Sequence, residues 1–387
     1  MITRGNRQPE LNREYMPHIV HLTTVHLPFD TRIFQKECRS LAQAGYRVSL
    51  IAPHTNRETV DGVEIIPVPR FTGRLERMSK GTWAVYRLAR RLDADLYHFH
   101  DPELMPVGML LRLTTRACVV YDVHENYPAN MQSKEWLPRP LRNLASWGVE
   151  LTEKVTAALA DGIVTATEPI AARFSPAKTQ VIKNYPLPAM MALSPAEQCK
   201  YKNNYTLIYT GGFTDHRGIH QIVQALEHVQ TPQARLTLLG RAIHPYVEEA
   251  VQGLPGYRRV DYLGHVPFET MYHHLNTAAI GLVCNQPRHG YDLALPNKLF
   301  EYLSAGLPVI ASHFDSWQEI VEGNQCGITV DPTDPAEIAQ AIDTLLGQPE
   351  LRRTMGENAR QAAGEKYNWE HESQKLLNLY QEVLGRC

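Results

Sequence analysis

The chain has 387 residues, with 39 Lys plus Arg against 41 Asp plus Glu, 43% apolar residues and 21% charged ones. At roughly 150 residues per domain this is two to three domains, and the composition excludes a disordered, collagen-like or small disulfide-scaffold chain. A net charge of −2 argues against a dedicated nucleic-acid binder, which carries a basic excess.

The first 16 residues, MITRGNRQPELNREYM, are polar and hold no apolar segment, so no secretory signal is expected. No apolar run approaches the ~18 residues that span a bilayer. The expected location is cytoplasmic, at the inner face of a membrane if the chain binds one. HIVHLT (18–23) reads as a strand. Ile33, Cys38, Leu41 and Ala42 then recur at helical spacing over 30–45, with Gly45 as a stop. YRVSLIA (46–52) is the next strand, and the strand–helix–strand unit recurs. Strands are expected at 95–100, 117–123, 162–166 and 180–183, with a helix over 103–113. The series restarts near 205, with strands at 206–209, 234–239, 260–263, 279–283 and 308–312. Helices are expected at 219–228, at 268–276, from 297, and at 369–384.

Apolar strands alternating with helices predict parallel sheets covered on both faces. The expected fold class is α/β, with two doubly wound domains facing a cleft. The expected division is a polar, disordered leader (1–16), an N-terminal domain (17–185), a linker (186–204), a C-terminal domain (205–368) and a terminal helix (369–387). The six cysteines, at 38, 118, 199, 284, 326 and 387, include no C-x-x-C pair. Zinc-knuckle and redox-dithiol spacings are therefore absent, and single core thiols are expected.

In open parallel sheets ligands sit beyond the carboxyl ends of the strands. In the first half those segments are VHLPFDTR (25–32), HFHDP (98–102) and DVHENY (122–127), rich in His and Asp. In the second half they include TGGFTDHRG (210–218), rich in Gly with isolated cations. Pro296 precedes a helix whose free N–H groups form an anion site, with Lys298 in its first turn and Glu301 at i+3. An ordinary capped helix with a surface Lys–Glu pair is the alternative. Gly211 and Gly212 permit close backbone approach, and Arg217 is suited to phosphate oxygens. A glycine turn with a surface Arg is the plainer reading. His98, His100 and Asp101 read as a metal site or as polar groups lining the cleft. His124 and Glu125 are suited to sugar hydroxyls, or else His124 is a satisfied core residue. Residues 70–91 hold seven Lys/Arg against Glu76 alone, with Trp83, Val85, Tyr86 and Leu88 interleaved. This is a basic amphipathic element for an anionic or lipid surface, or a solvated charged face.

Together VHLPFDTRIFQKECRSLAQAGYRVSLIAP, DLYHFHDPE, VVYDVHENYP, YTGGFTDHRG, YLGHVPF and PNKLFEYLSAGLPVIAS resemble glycosyltransferase family 4, of GT-B fold. They cover most of residues 18–370 in the family's order, and the last is the most specific. The resemblance implies transfer of a sugar from a nucleotide-diphosphate donor to a hydroxyl, with retention and without a metal or other cofactor. Arg217 and Lys298 match donor-phosphate positions, and His124 the donor-sugar histidine. Glu301 matches the ribose-binding second acid of a paired-glutamate motif. Gly264, His265 and Val266 match the segment that receives the base. Gly211, Gly212, Asn297 and Leu299 complete the implied donor site. Asp30, Arg32, His100, Asp101 and Glu125 are the acceptor-side candidates. The first acid of the glutamate pair falls on Leu293, with Asp292 adjacent as its substitute, and an expected Arg falls on Gly212. The implied partners are a nucleotide sugar, UDP-hexose first and GDP-mannose second, and a glycan or lipid-linked acceptor of envelope polysaccharide synthesis. A GT-B-fold epimerase and a non-catalytic sugar-nucleotide-binding protein are the alternatives.

Overall fold

A computed structural model describes residues 16–132, 138–187, 204–287 and 295–386. It divides into two compact units. One runs to Lys183 and includes the chain from Ser373 onward; the other is Asn184–Glu372.

The first unit holds strands β1 (His18–Leu22), β2 (Arg47–Pro53), β3 (Glu58–Val60), β4 (Val63–Val68), β5 (Leu96–Phe99), β6 (Cys118–Val123), β7 (Gly162–Thr165) and β8 (Thr179–Val181). Their order is β3-β4-β2-β1-β5-β6-β7-β8, parallel throughout except for the β3–β4 hairpin. That hairpin was not anticipated. It turns on Asp61 and Gly62, both at positive φ, the dipeptide that a two-residue hairpin turn favours. β1, β5 and β6 are buried along their whole length, as apolar strands covered on both faces must be. The helix expected over 30–45 is a wide-turned segment, Ile33–Cys38, continuing as Arg39–Gln43. Cys118, expected as a single thiol, is held in a disulfide, while Cys38, Cys284 and Cys326 are free and buried.

The second unit holds β9 (Thr206–Thr210), β10 (Arg235–Leu239), β11 (Val260–Gly264), β12 (Ile280–Val283), β13 (Val309–Ser312) and β14 (Gly327–Val330). Their order is β11-β10-β9-β12-β13-β14, all parallel. Apolar clusters cover both faces: Leu207, Ile222, Leu236 and Ile342 share one, Ile208, Leu299, Trp317 and Val309 the other.

In each sheet the strand order reverses once, between β1 and β5 and between β9 and β12. Crevices open at such reversals beyond the carboxyl ends of the strands. The helix Trp369–Leu384 starts in the second unit, and from Ser373 it is part of the first. There Leu376, Leu379, Tyr380 and Val383 are buried. Val383 and Leu379 lie against Gly162 of β7, where a Cβ would stand 3.0 and 3.5 Å from them.

Candidate functional site

In the second unit the chain leaves β9 through Gly211 and Gly212. Gly211 has φ +96°, which L side chains rarely adopt. Gly218 (φ +70°) lies against the end of β12: a Cβ there would stand 1.8 Å from the Cys284 carbonyl oxygen. The helix Asn297–Ser304 is fixed to the same edge by Tyr302. Its hydroxyl accepts the Thr210 N–H at 2.8 Å, and its ring covers Gly281.

One turn before Tyr302 lies Lys298, 8% exposed. Its Nζ stands over the face of the Tyr209 ring, 3.4 Å from the centroid, and has no hydrogen-bond partner among the described residues. Burial, then the Arg217 charge, pushes the Lys298 ammonium pKa well below the ordinary lysine range. Arg217 Nη1 donates to the Gly212 carbonyl at 2.5 Å. Asn297 is exposed and Glu301 half-buried. Leu299 instead turns into the core at 0% exposure, and its N–H donates to the Pro296 carbonyl. Gly264 ends β11 at φ +67°, and its carbonyl accepts the Gly240 N–H at 2.7 Å. His265 beyond it is exposed, and Val266 packs against the core. Asp292 and Leu293 lie outside the described residues. Tyr209 and Tyr302 escaped the sequence reading. Their signal was an aromatic at a strand end and one a helical turn beyond a lysine.

In the first unit Asp101 pins the turn after β1. Its Oδ2 accepts from Thr24 N–H at 2.6 Å and from Thr23 Oγ1 at 2.8 Å. Asp30 accepts the N–H groups of Arg32 and Ile33 at 2.8 and 3.0 Å, so it caps the helix that follows. Burial works against its charge, but the His26 hydrogen bond and the backbone N–H groups hold its pKa well below the carboxylate range. Arg32 is buried. It donates from Nε and Nη2 to Asp122 at 3.3 and 3.2 Å and from Nη1 to the Ile182 carbonyl at 3.1 Å. Its Nε also stands 3.0 Å from Glu37 Oε1. His100 Nδ1 lies 3.0 Å from Asp122 Oδ2.

His124, with 18% of its side chain exposed, lies 3.3 Å from the same Asp122 oxygen. Burial, with Arg32 and His100 adding to it against Asp122, pushes its pKa down to about 3, so its imidazole is neutral. Glu125 is exposed and accepts from Asn130 at 2.7 Å. His100, Arg32 and Asp101 are thus buried and engaged by the protein, whereas His124, Asp30 and Glu125 reach solvent. His26, Glu37 and Asp122 join the network unannounced by the sequence, although Asp122 stands two residues before His124.

Residues 74–89 form three short helical segments, Arg74–Glu76, Arg77–Gly81 and Thr82–Ala89. Val85, Tyr86 and Ala89 face inward, while Leu75, Met78 and Trp83 are exposed. The helix Arg139–Leu159 likewise exposes Leu141, Leu144, Trp147, Leu151 and Val155. No helix of the described residues is long and apolar enough to cross a membrane.

Residues 204–348 match the family model described as glycosyl transferases group 1, and residues 31–184 that of the glycosyl transferase 4-like domain. The chain is 22% identical over 370 residues to a phosphatidyl-myo-inositol mannosyltransferase of Mycolicibacterium smegmatis, covering 89% of this chain and 88% of the relative. An uncharacterised glycosyltransferase of Methanocaldococcus jannaschii is 26% identical over 185 residues, only about half the length of either chain (46%). Among solved structures, sucrose-phosphate synthase of Thermosynechococcus elongatus superposes with a TM-score of 0.77 at 20% identity, covering 96% of this chain and all of that one. An Anabaena protein solved in complex with UDP-glucose superposes at 0.70 and 16% identity, over 94% and 99% of the two chains.

Proposed function

The chain belongs to the group 1, GT4-type glycosyltransferases of GT-B fold, and from that premise we propose that it moves a hexose from a nucleoside-diphosphate sugar to a hydroxyl, with retention. The observation that carries this reading is Lys298: a buried amine with no hydrogen-bond partner among the described residues, at a helix N-terminus beside a glycine turn. An amine desolvated in this way is costly until an anion joins it. The diphosphate supplies that anion and restores the ammonium.

As the C1–O bond breaks, negative charge grows on the leaving diphosphate. In this reading Arg217, Lys298 and the helix amides stabilise that charge without a metal in the transfer step. Gly211 and Gly212 admit the phosphates, Glu301 takes the ribose, and Gly264 to Val266 take the base. The acceptor hydroxyl attacks from the face the leaving group vacates, and the departing phosphate oxygen takes its proton. His124, neutral and partly exposed, serves the sugar hydroxyls.

A uridine nucleotide is the first donor to test, supported by the neighbour solved with UDP-glucose. GDP-mannose is the second, supported by the relative named a mannosyltransferase. The acceptor side is a glycan or lipid-linked hydroxyl at the cytoplasmic face of a membrane. The exposed Leu75, Met78 and Trp83 among arginines support that placement. A thermal-shift screen with UDP, GDP, ADP and their sugars tests the donor, because a ligand that binds the native state stabilises it by mass action. No shift with any of them removes the donor assignment. Reversing Arg74, Arg87 and Arg90 to Glu should release the chain from anionic vesicles, since each cation near such a surface contributes about 1 kcal/mol. Unchanged vesicle association removes the membrane part alone.

A further inference from the structure

Beneath the exposed edge of the first unit lies a closed cluster that the transfer chemistry does not use. His21 on β1, Glu37 on the helical segment Ile33–Cys38, His98 on β5 and His100 just beyond it are all buried, at 0 to 1% exposure. Each offers one ligand atom, and the four atoms lie within 4.8 Å of one another. Glu37 Oε2 stands 3.9 Å from His21 Nδ1, 3.8 Å from His98 Nδ1 and 3.9 Å from His100 Nε2. His21 Nδ1 and His100 Nε2 are 2.9 Å apart.

The cluster is unsatisfied as it stands. Among the described residues neither Glu37 oxygen has a hydrogen-bond partner of sound geometry, although Oε1 has the Arg32 charge 3.0 Å away. Among the same residues His98 Nε2 has no hydrogen-bond partner either. A buried acceptor without partners costs about 1–3 kcal/mol, more if charged. Glu37 therefore turns one oxygen to Arg32 and the other to three imidazoles.

We propose that His21, Glu37, His98 and His100 bind a divalent late transition metal, zinc for choice, as a structural site beneath the β1–β5 crevice. Three imidazoles and one carboxylate are a borderline-soft donor set that suits zinc. Ligands at roughly 2.0–2.2 Å from a tetrahedral zinc lie roughly 3.3–3.5 Å apart, between the shortest and longest separations seen here. The surroundings also fit. Asp122 accepts from His100 Nδ1 at 3.0 Å, the carboxylate–histidine arrangement that fixes a ligating tautomer. The Tyr380 hydroxyl stands 3.3 Å from His21 Nε2, the ring nitrogen that faces away from the cluster; it also stands 2.7 Å from His98 Nδ1, a contact that metal binding would have to break. With neutral imidazoles, Arg32 against Glu37 and Asp122 leaves one net negative charge for the dication to meet. Loading exchanges the proton between His21 and His100, and any proton on Glu37, for the metal. The cluster belongs to the first unit and the donor-phosphate residues to the second, so the inference does not rest on the transfer reading.

The test is metal content and spectroscopy on the full chain, stripped with chelator and reloaded with zinc or cobalt. The expected result is one zinc per chain, a raised unfolding midpoint, and tetrahedral d–d bands with cobalt. The Glu37→Gln/His98→Asn double variant should lose the bound metal. Asp122→Asn should weaken binding about 10–100-fold. His273→Ala/His274→Ala, on a surface helix, should change neither. A wild-type chain that takes up no zinc, or gives no tetrahedral cobalt spectrum, overturns the site without involving any variant. Zinc retained in full by the folded double variant overturns it as well.

Discussion

After β9 the chain is stripped to glycine and one buried amine is left with an aromatic ring for company, whereas after β1 and β5 oppositely charged and polar side chains are gathered around Asp122. Gly211, Gly218 and Gly240 bring backbone to backbone around Lys298. Around Asp122, by contrast, Arg32, His100 and His124 crowd within 3.3 Å. A region that holds an unsatisfied buried amine is poised for something to arrive. A region that compensates its charges internally holds its own shape and presents only its outermost groups. The same fold thus supplies a receptive edge in one unit and a braced edge in the other.

The sharpest way to break this contrast is to delete one cation from each side. Arg32→Met takes the guanidinium from the buried Asp122 and Glu37 and should destabilise the first unit by about 3–5 kcal/mol, read from denaturant unfolding and from hydrogen exchange of its peptides. Lys298→Met should do the reverse to the second unit. By removing an unsatisfied buried amine it should stabilise by about 1–3 kcal/mol, while transfer falls at least ~100-fold. If Lys298→Met and Arg217→Ala both transferred at near-normal rates, the receptive role of this edge would be wrong. Gly218→Ala tests how tightly that edge is built. Its Cβ would meet the Cys284 carbonyl at 1.8 Å with φ at +70°, and a loss of about 1–3 kcal/mol is expected.

The smallest effect is in pH. Lys298 is depressed when folded, so the native state binds fewer protons than the unfolded one below about pH 10.4. Stability of the second unit should therefore rise with pH up to that point, by at most about 1.4 kcal/mol per unit, and Lys298→Met should flatten the slope. In the first unit the shifts oppose. His21, His98 and His124 are depressed and favour higher pH. His26 and Glu37 are raised and favour lower pH. A shallower dependence is expected there between about pH 4 and 6.5. A steep slope in exchange rates of β1 and β5 peptides would show that its charges are not balanced.

What could be read in advance follows the range of the interactions. Strand and helix periodicity is local, so the β9 to β13 series and the helix Trp369–Leu384 were anticipated within a residue or two. Lys298 announced itself by following Pro296 at a helix start. Its burial did not, because that depends on Tyr209, 89 positions earlier by subtraction of the two numbers. Glu37 lies in the helix expected over 30–45, whose periodicity marks only Ile33, Cys38, Leu41 and Ala42. Only the wide turn of Ile33–Cys38 and the pairing of β1 with β5 bring it among histidines far along the chain. Leu299 was assigned to ligand binding from its neighbours, but its apolar side chain completes the core instead. The Asp61-Gly62 hairpin was legible and overlooked.

Tyr380 carries a consequence for how the protein is made. Its hydroxyl meets His98 and His21, and Leu379 and Val383 beside it cover Gly162. The first unit is therefore assembled from two segments separated in the sequence by the whole second unit. During synthesis its sheet is present long before the helix that covers it, and the intervening unit can fold in the meantime. For that interval the seat of Tyr380 is open to water. Emergence of the helix Trp369–Leu384, rather than completion of the first 183 residues, sets the moment at which the histidine cluster is covered.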